Sequence, residues 1–335
     1  MANDDNIPLN RRERAALSPA KRQSIIKNLF VEHDRFKDAI TAIGSFHMPV
    51  EGGDPDFGVL TTLCGDSRTG KTFTLERYAK RFPASDGTRG VIRRVVYCDM
   101  PIDCNLRAMA EQIADALNFP HSQRLNTRGL VGAVLLEIKK QAVEFLILDE
   151  FQEAFDVSRK KNLRDARGFL RKILNLRSLN VCAAGLVETY ELLAADAKLK
   201  GRGLLPHHLL HAYEWDDPAD QKLFRLLCAS IDDRLPFREN SNLGSIALAQ
   251  RLYWVTDGVI GILKEFLFAA ACRAMNADAD RIEMHFLADA WDVRKPIGQT
   301  FNPFVDDLKD APSKEEQTLP KPPRNKFDDG IFSKK

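Results

Sequence analysis

One octapeptide constrains this chain more than any other feature. Gly65-Asp66-Ser67-Arg68-Thr69-Gly70-Lys71-Thr72 matches G-x-x-x-x-G-K-[ST], and it lies between an apolar run at 59–64 and a helix-periodic stretch at 71–82. A strand, a glycine-bearing turn and a helix in that order make a phosphate-binding loop. The glycines let successive backbone N–H groups and the helix N-terminus surround the β- and γ-phosphates; Lys71 adds a point charge, and the Thr72 hydroxyl can ligate Mg²⁺. All eight residues are therefore expected at a nucleotide, with Mg²⁺ as its metal partner.

A second segment, Phe145-Leu146-Ile147-Leu148-Asp149-Glu150, supplies the complementary acids. Four apolar residues read as a buried strand, whose C-terminal edge delivers Asp149 to the Mg²⁺ shell and Glu150 to the attacking water. Further strands are expected at 91–98 and 181–184, and helices at 106–117, 130–141 and 162–176. Strands apolar on both faces and alternating with helices predict an α/β fold with a parallel sheet between helical layers. From 217 onward the periodicity is helical throughout, at 218–233, 243–254, 259–275 and 284–291. The organisation expected is a helical N-terminal extension at 1–55, a nucleotide-binding α/β domain at 56–215, a small all-helical lid at 216–294, and a disordered partner-binding tail at 295–335, where six prolines fall among many charges.

Composition narrows the class without naming a partner. A chain of 335 residues, 44% of them hydrophobic, buries a sizeable core without disulfides. The six cysteines are scattered, with no C-x-x-C, and read as reduced core residues. Lys plus Arg number 49 against 47 Asp plus Glu, so any nucleic-acid contact must come from local clustering of charge. No apolar run is long enough for a membrane span, and the opening MANDDNIPLNRRER has no apolar stretch for a signal peptide. The expected location is cytoplasmic, with no membrane association.

The GDSRTGKT loop and the DEFQ that follows the acidic strand are joined by two further strings. These are LPFRENSNL at 235–243 and GVIGILKEFLFAAACRA at 258–274. Together they resemble transposon-encoded ATPases of the TniB/TnsC family, which belong to the AAA+ class, over roughly residues 25–292. The resemblance implies a P-loop AAA+ core followed by a helical lid. It also implies an ATP-dependent ATPase that assembles as a ring or helical filament on double-stranded DNA and links a target-selection protein of the TniQ type to a transposase. In this family a G-[ST] after the fourth strand senses the γ-phosphate; here Gly185 is followed by Leu186. Relatives often carry an arginine after the G-x-[IL]-G turn of the lid; here Gly258-Val259-Ile260-Gly261 is followed by Ile262. Two apolar sensing positions imply slow hydrolysis. The family's D-x-x-L-x-x-R-F context is matched from Asp196 to Arg202 except that Gly203 stands for Phe, making Arg202 the candidate arginine finger toward a neighbouring subunit.

By the same resemblance, loops after the second strand and the next helix line the assembly's channel, which nominates Arg107, Arg124, Thr127 and Arg128 for DNA. A denser basic run, Arg159, Lys160, Lys161, Arg164, Arg167, Arg171 and Lys172, is a second possible contact for DNA or a subunit. The N-terminal Arg11, Arg12, Arg14, Lys21 and Arg22 could meet DNA, a target selector, or nothing. His207, His208 and His211 have zinc-like spacing but no third ligand type nearby, and read as a surface or interface turn. Trp215 reads as packing at the entry to the lid. Phe301-Asn302-Pro303-Phe304 and Lys326-Phe327 are aromatic islands of the kind that dock on a partner. Two other readings compete: a P-loop small-molecule kinase, which would need an arginine-rich lid near the phosphates, and a nucleotide-gated scaffold of the helicase-loader kind without DNA affinity.

Overall fold

The computed structural model describes residues 9–50, 52–55, 57–88, 90–120, 125–155 and 160–312. Arg124, Arg159, Lys326 and Phe327 lie outside them. The chain forms two units, one of 32–212 with 259–261, the other of residues up to 31, 213–258 and 262 onward. In chain order, helices α1 (Arg11–Ala15) and α2 (Pro19–Lys27) precede α3 (Asp34–His47), which opens the first of these units. There follow β1 (Leu60–Gly65), α4 (Lys71–Ala79), the hairpin strands β2 (Ser85–Gly87) and β3 (Gly90–Ile92), β4 (Val95–Asp99), α5 (Leu106–Ala116) and α6 (Thr127–Lys140). Next are β5 (Phe145–Asp149), a 3₁₀ turn (Phe151–Phe155), α7 (Lys160–Leu174), β6 (Asn180–Gly185), α8 (Val187–Ala194), α9 (Ala197–Lys200) and β7 (His207–Leu210). Helices α10 (Pro218–Arg234), α11 (Ile246–Thr256), α12 (Ile260–Asn276) and α13 (Met284–Asp292) follow, with a short 3₁₀ turn at Leu308–Asp310.

Every residue of β1, β5 and β6 is buried, as near-continuous apolar runs covered on both faces require. These strands join β4 and β7 in one sheet of order β4-β5-β6-β1-β7, every neighbouring pair parallel. One face packs on α5, α6 and α7 through Met109, Ile113, Val134, Ile138, Phe169 and Ile173, all essentially inaccessible to solvent. Asparagine side chains cap two of these helices: Asn105 accepts from the Arg107 and Ala108 N–H groups, and Asn126 from that of Gly129. Helix α3 is capped instead by His33, whose Nδ1 accepts from the Phe36 N–H at 3.3 Å. At its other end His47 is fully buried, its ring stacked on Phe145 and Nδ1 2.9 Å from the Tyr78 hydroxyl of α4.

Several expectations change. The apolar stretch 91–98 is two strands, because the chain leaves the hairpin at Ile92 and enters the sheet only at Val95. His207 and His208 lie on β7, an edge strand paired with Thr62 and Leu63 of β1, rather than on a turn. The N-terminal arginines have intramolecular partners. Arg11 donates to the Asp232 and Glu239 carbonyls, Arg14 to that of Asp233, and Arg22 Nε to that of Pro236 at 2.9 Å. Guanidinium groups thus meet the carbonyl-rich C-terminal end of α10, where a helix dipole favours positive charge. Trp215 does pack, against Phe224 and Tyr253.

The segment after 295 does not begin as disorder. Phe301 and Phe304 are 8% and 5% exposed, Phe304 stacking on Phe266 and Phe301 against Trp254, while Trp291 Nε1 donates to the Phe301 carbonyl at 3.0 Å. Asn302 donates to the Ala288 carbonyl and Arg251 to that of Asp306. Aromatic burial with satisfied main-chain groups outweighs the proline-rich composition, so Phe301 and Phe304 are not a free docking island.

Candidate nucleotide-binding site

The C-terminal edge of the sheet sets out the site. Because β6 lies between β1 and β5, the loop after β1, the Gly185-Leu186 junction after β6 and the Asp149-Glu150 pair after β5 emerge side by side. The loop 65–72 turns into α4 through Gly70, whose φ of 101° at the N-cap is a left-handed conformation that a side chain would strain. Gly65 is needed for closeness: a Cβ there would stand 2.3 Å from the Leu210 carbonyl of β7. Thr69 is buried and its hydroxyl donates to the Asp66 carbonyl at 2.8 Å; the Arg68 carbonyl accepts from the Gly261 N–H at 3.0 Å. Asp66, Ser67, Arg68 and Thr72 are exposed.

Lys71 is 5% exposed, and its Nζ donates to the Gly65 and Asp66 carbonyls, each at 2.8 Å. Burial lowers its pKa; the carboxylates of Glu150, Asp149 and Asp66 oppose that, Glu150 most strongly. A buried ammonium ringed by carbonyls and facing two carboxylates is a charge held ready for an anion. Asp149 has no exposed surface, accepting from the Tyr97 hydroxyl at 3.0 Å and from the Glu150 N–H at 2.9 Å. The Tyr97 hydroxyl is pushed well above its ordinary range, first by burial and then by Asp149. Asp99, in register with Asp149, is raised by burial and by its acidic neighbours Asp149, Glu150 and Glu76. The cluster therefore concentrates negative charge where a divalent cation would relieve it. Among the described residues, no three His, Cys, Asp or Glu side chains could hold a metal ion on their own. A hard cation here would complete its shell with phosphate and water oxygens, as Mg²⁺ commonly does.

Glu150 has φ 48°, and its carboxylate Oε2 accepts from the Gln152 amide. Gln152 was not among the sequence-derived site residues, although DEFQ displayed it next to the acids; nothing in the string says that its amide turns back onto Glu150. The remaining nominees fall elsewhere. Arg202 follows α9 and donates to Asn175 beyond the end of α7. Arg107 donates to the Leu125 carbonyl at 2.9 Å and pairs with Glu111 at 2.8 Å, which brings it alongside the start of α6, where Thr127 is half-buried and Arg128 exposed. In the basic run, Arg167 donates to the Leu192 carbonyl and Arg171 pairs with Asp196 at 2.7 Å, while Arg164 and Lys172 lie on the same helix.

Solved structures share this architecture. Cdc6p from Pyrobaculum aerophilum aligns over 81% of this chain and 70% of its own at 18% identity, with a TM-score of 0.58. The Aeropyrum pernix ORC2 protein, in ADPNP–ADP complexes, aligns over 80% and 71% at 14% identity and 0.55. The Aeropyrum pernix ORC1 protein, in complex with DNA, aligns over 82% and 69% at 15% identity and 0.53. At these identities the likeness establishes the fold, that of AAA+ proteins with a parallel five-stranded sheet and a helical C-terminal region. Among curated proteins none matches. Among the described residues no helix is long and apolar enough to cross a membrane. The model of the bacterial TniB protein matches residues 23–210, which span the loop, the acidic pair and the whole sheet, and the chain belongs to that family.

Proposed function

We propose that this protein is an ATP-dependent, DNA-binding regulator of DNA transposition that assembles on duplex DNA and links a target-selection protein of the TniQ type to the transposase. The observation that carries the reading is the convergence of a phosphate loop, a buried lysine and an Asp-Glu pair at one sheet edge in a chain of the TniB family. The backbone N–H groups of 65–70 and the N-terminus of α4 bind the β- and γ-phosphates, and Lys71 exchanges its two carbonyl partners for phosphate oxygens. Thr72 and Asp149 would hold Mg²⁺, which when bound neutralises charge developing on the phosphates. Glu150 orients water for attack on the γ-phosphorus and accepts its proton as the bond to the β–γ bridging oxygen breaks, giving ADP and phosphate.

The apolar Leu186 and Ile262 leave two customary phosphate contacts unmade, so turnover stays below about 1 s⁻¹, at the low end of enzymatic rates, and bound ATP serves mainly to stabilise an assembly. In that assembly Arg202 exchanges Asn175 for the nucleotide of a neighbouring copy. Arg107, Arg124, Thr127 and Arg128 contact DNA phosphates without reading sequence. The DNA complex of the structurally similar ORC1 protein supports a DNA-binding role. The test is electron microscopy of the protein with a short duplex and a non-hydrolysable ATP analogue, beside Lys71→Ala. Rings or filaments that require DNA, nucleotide and Lys71 are expected. Assembly indifferent to DNA would favour a nucleotide-gated scaffold, and monomers throughout would refute the reading.

A further inference from the structure

We propose that Gln152 is a positioning residue for ATP hydrolysis, tying the Glu150 carboxylate to the end of β6 and supplying the polar link at Gly185-Leu186 that the Leu186 side chain cannot. The inference rests on Glu150 acting on the attacking water.

The geometry is a two-ended bridge. Gln152 Nε2 donates to Glu150 Oε2, and Gln152 Oε1 accepts from the Leu186 N–H at 3.2 Å. The amide orientation follows from its partners: a carboxylate needs a donor and a main-chain N–H needs an acceptor, and a carboxamide offers the two on separate atoms of one side-chain end. Position 185 is shaped for it. A Cβ on Gly185 would stand 2.1 Å from Gln152 Oε1 and 2.6 Å from the Thr189 hydroxyl, so the absent side chain is the room the bridge occupies. At the other end, Glu150 sits at φ 48°, a conformation a glutamate adopts at a cost, with its N–H on Asp149 Oδ1 at 2.9 Å. Backbone strain at the acid and a donor on one carboxylate oxygen fix its direction, while Glu150 is also the carboxylate acting most strongly on Lys71. A shift of Leu186, which is the N-cap of α8, is therefore transmitted to the acid.

Two partners of different chemistry make the bridge separable by substitution. Gln152→Glu keeps the acceptor for Leu186 but sets a carboxylate against Glu150; Gln152→Ala removes both ends; Gly185→Ala evicts the amide while leaving its chemistry intact. The assay is single-turnover ATP hydrolysis by the full chain with duplex DNA, beside the Kd for a fluorescent non-hydrolysable ATP analogue and the melting temperature, with Glu150→Gln as reference. Glu150→Gln should abolish turnover. Each of the three bridge variants should slow it about tenfold or more, the scale on which small misplacements of a reacting group act. Their analogue affinity should stay within about threefold, and the Gln152→Ala, Gly185→Ala double variant should be no slower than either single one, because both break one link. Gln152→Ala turning over at the wild-type rate, loss of affinity in step with rate, or additive losses in the double variant would each overturn the inference while leaving Glu150 in place. An active Glu150→Gln, or no turnover by the wild type, would instead refute the reading of Glu150 and the bridge's role with it. If Gly185→Ala fails to fold, the turnover of Gln152→Ala and Gln152→Glu set against their analogue affinity still decides.

Discussion

Replacing His33 by Asn should remove a defined part of this protein's acid sensitivity. His33 caps α3 by accepting the Phe36 N–H, and Phe36 packs on Phe73 of α4, the helix that leaves the phosphate loop. Only an unprotonated Nδ1 can accept, and an imidazolium at a helix N-terminus opposes the dipole. Burial, the largest cause, pushes the His33 pKa down from 6.5 to about 4, against the raising influence of Asp34. The unfolded chain therefore binds a proton between those values that the folded chain refuses. Stability from this group is complete above the unfolded pKa and is lost as pH falls from about 6.5 toward about 4. At about pH 5 the unfolded imidazole is almost fully protonated and the folded one mostly neutral, a penalty of about 2 kcal/mol relative to about pH 7.5. Asparagine caps as well and does not titrate in this range. Urea unfolding at the two pH values should show wild type losing about 2 kcal/mol more than His33→Asn. The buried His47 is also depressed by burial but contributes to both proteins and cancels. Equal losses in the two proteins would refute the capping argument.

Gly65→Ala must move backbone, since the new Cβ would meet the Leu210 carbonyl at 2.3 Å; a loss of about 2 kcal/mol or more and of ATP binding is expected by thermal melting and nucleotide titration. Thr189→Val should raise stability by about 1 kcal/mol, because its buried hydroxyl has no hydrogen-bond partner among the described residues; a lower melting temperature would mean that the hydroxyl is satisfied in solution. Phe304→Ala should cost about 3 kcal/mol through the lost stack on Phe266, and limited proteolysis should then open the chain near 295–305; an unchanged digestion pattern would show the segment to be loose already.

What could be read in advance follows the range of the forces involved. The loop 65–72 and the strand ending in Asp149 declare themselves because glycine spacing and apolar runs are local properties. Strand β7 did not: four residues with two histidines carry no periodicity, and their pairing with β1 is set by a partner more than a hundred positions away. Phe301 and Phe304 were obscured by the prolines and charges around them, since composition does not reveal that Trp254, Trp291 and Phe266 converge on the same spot. Gln152 is the instructive case at the site. Its neighbours Asp149 and Glu150 have motif-level meaning, whereas its role depends on an amide reaching across to Leu186, a contact between residues 34 apart.

The bonds from Arg11 and Arg14 to the end of α10 also bear on how the protein is made. The helical unit is assembled from both sides of the sheet unit, with Arg11 and its Asp232 carbonyl separated by 221 positions. At roughly 5–20 residues per second, a ribosome spends on the order of 10–40 s between the two. Residues 32–212, which carry every strand of the sheet unit, are made in that interval ahead of 259–261, and α1 and α2 precede the segments of their own unit that bury Ile26. A chain truncated in that window carries the loop 65–72 but not the end of α10, so α1 and α2 gain their partners only after the sheet strands have all been made.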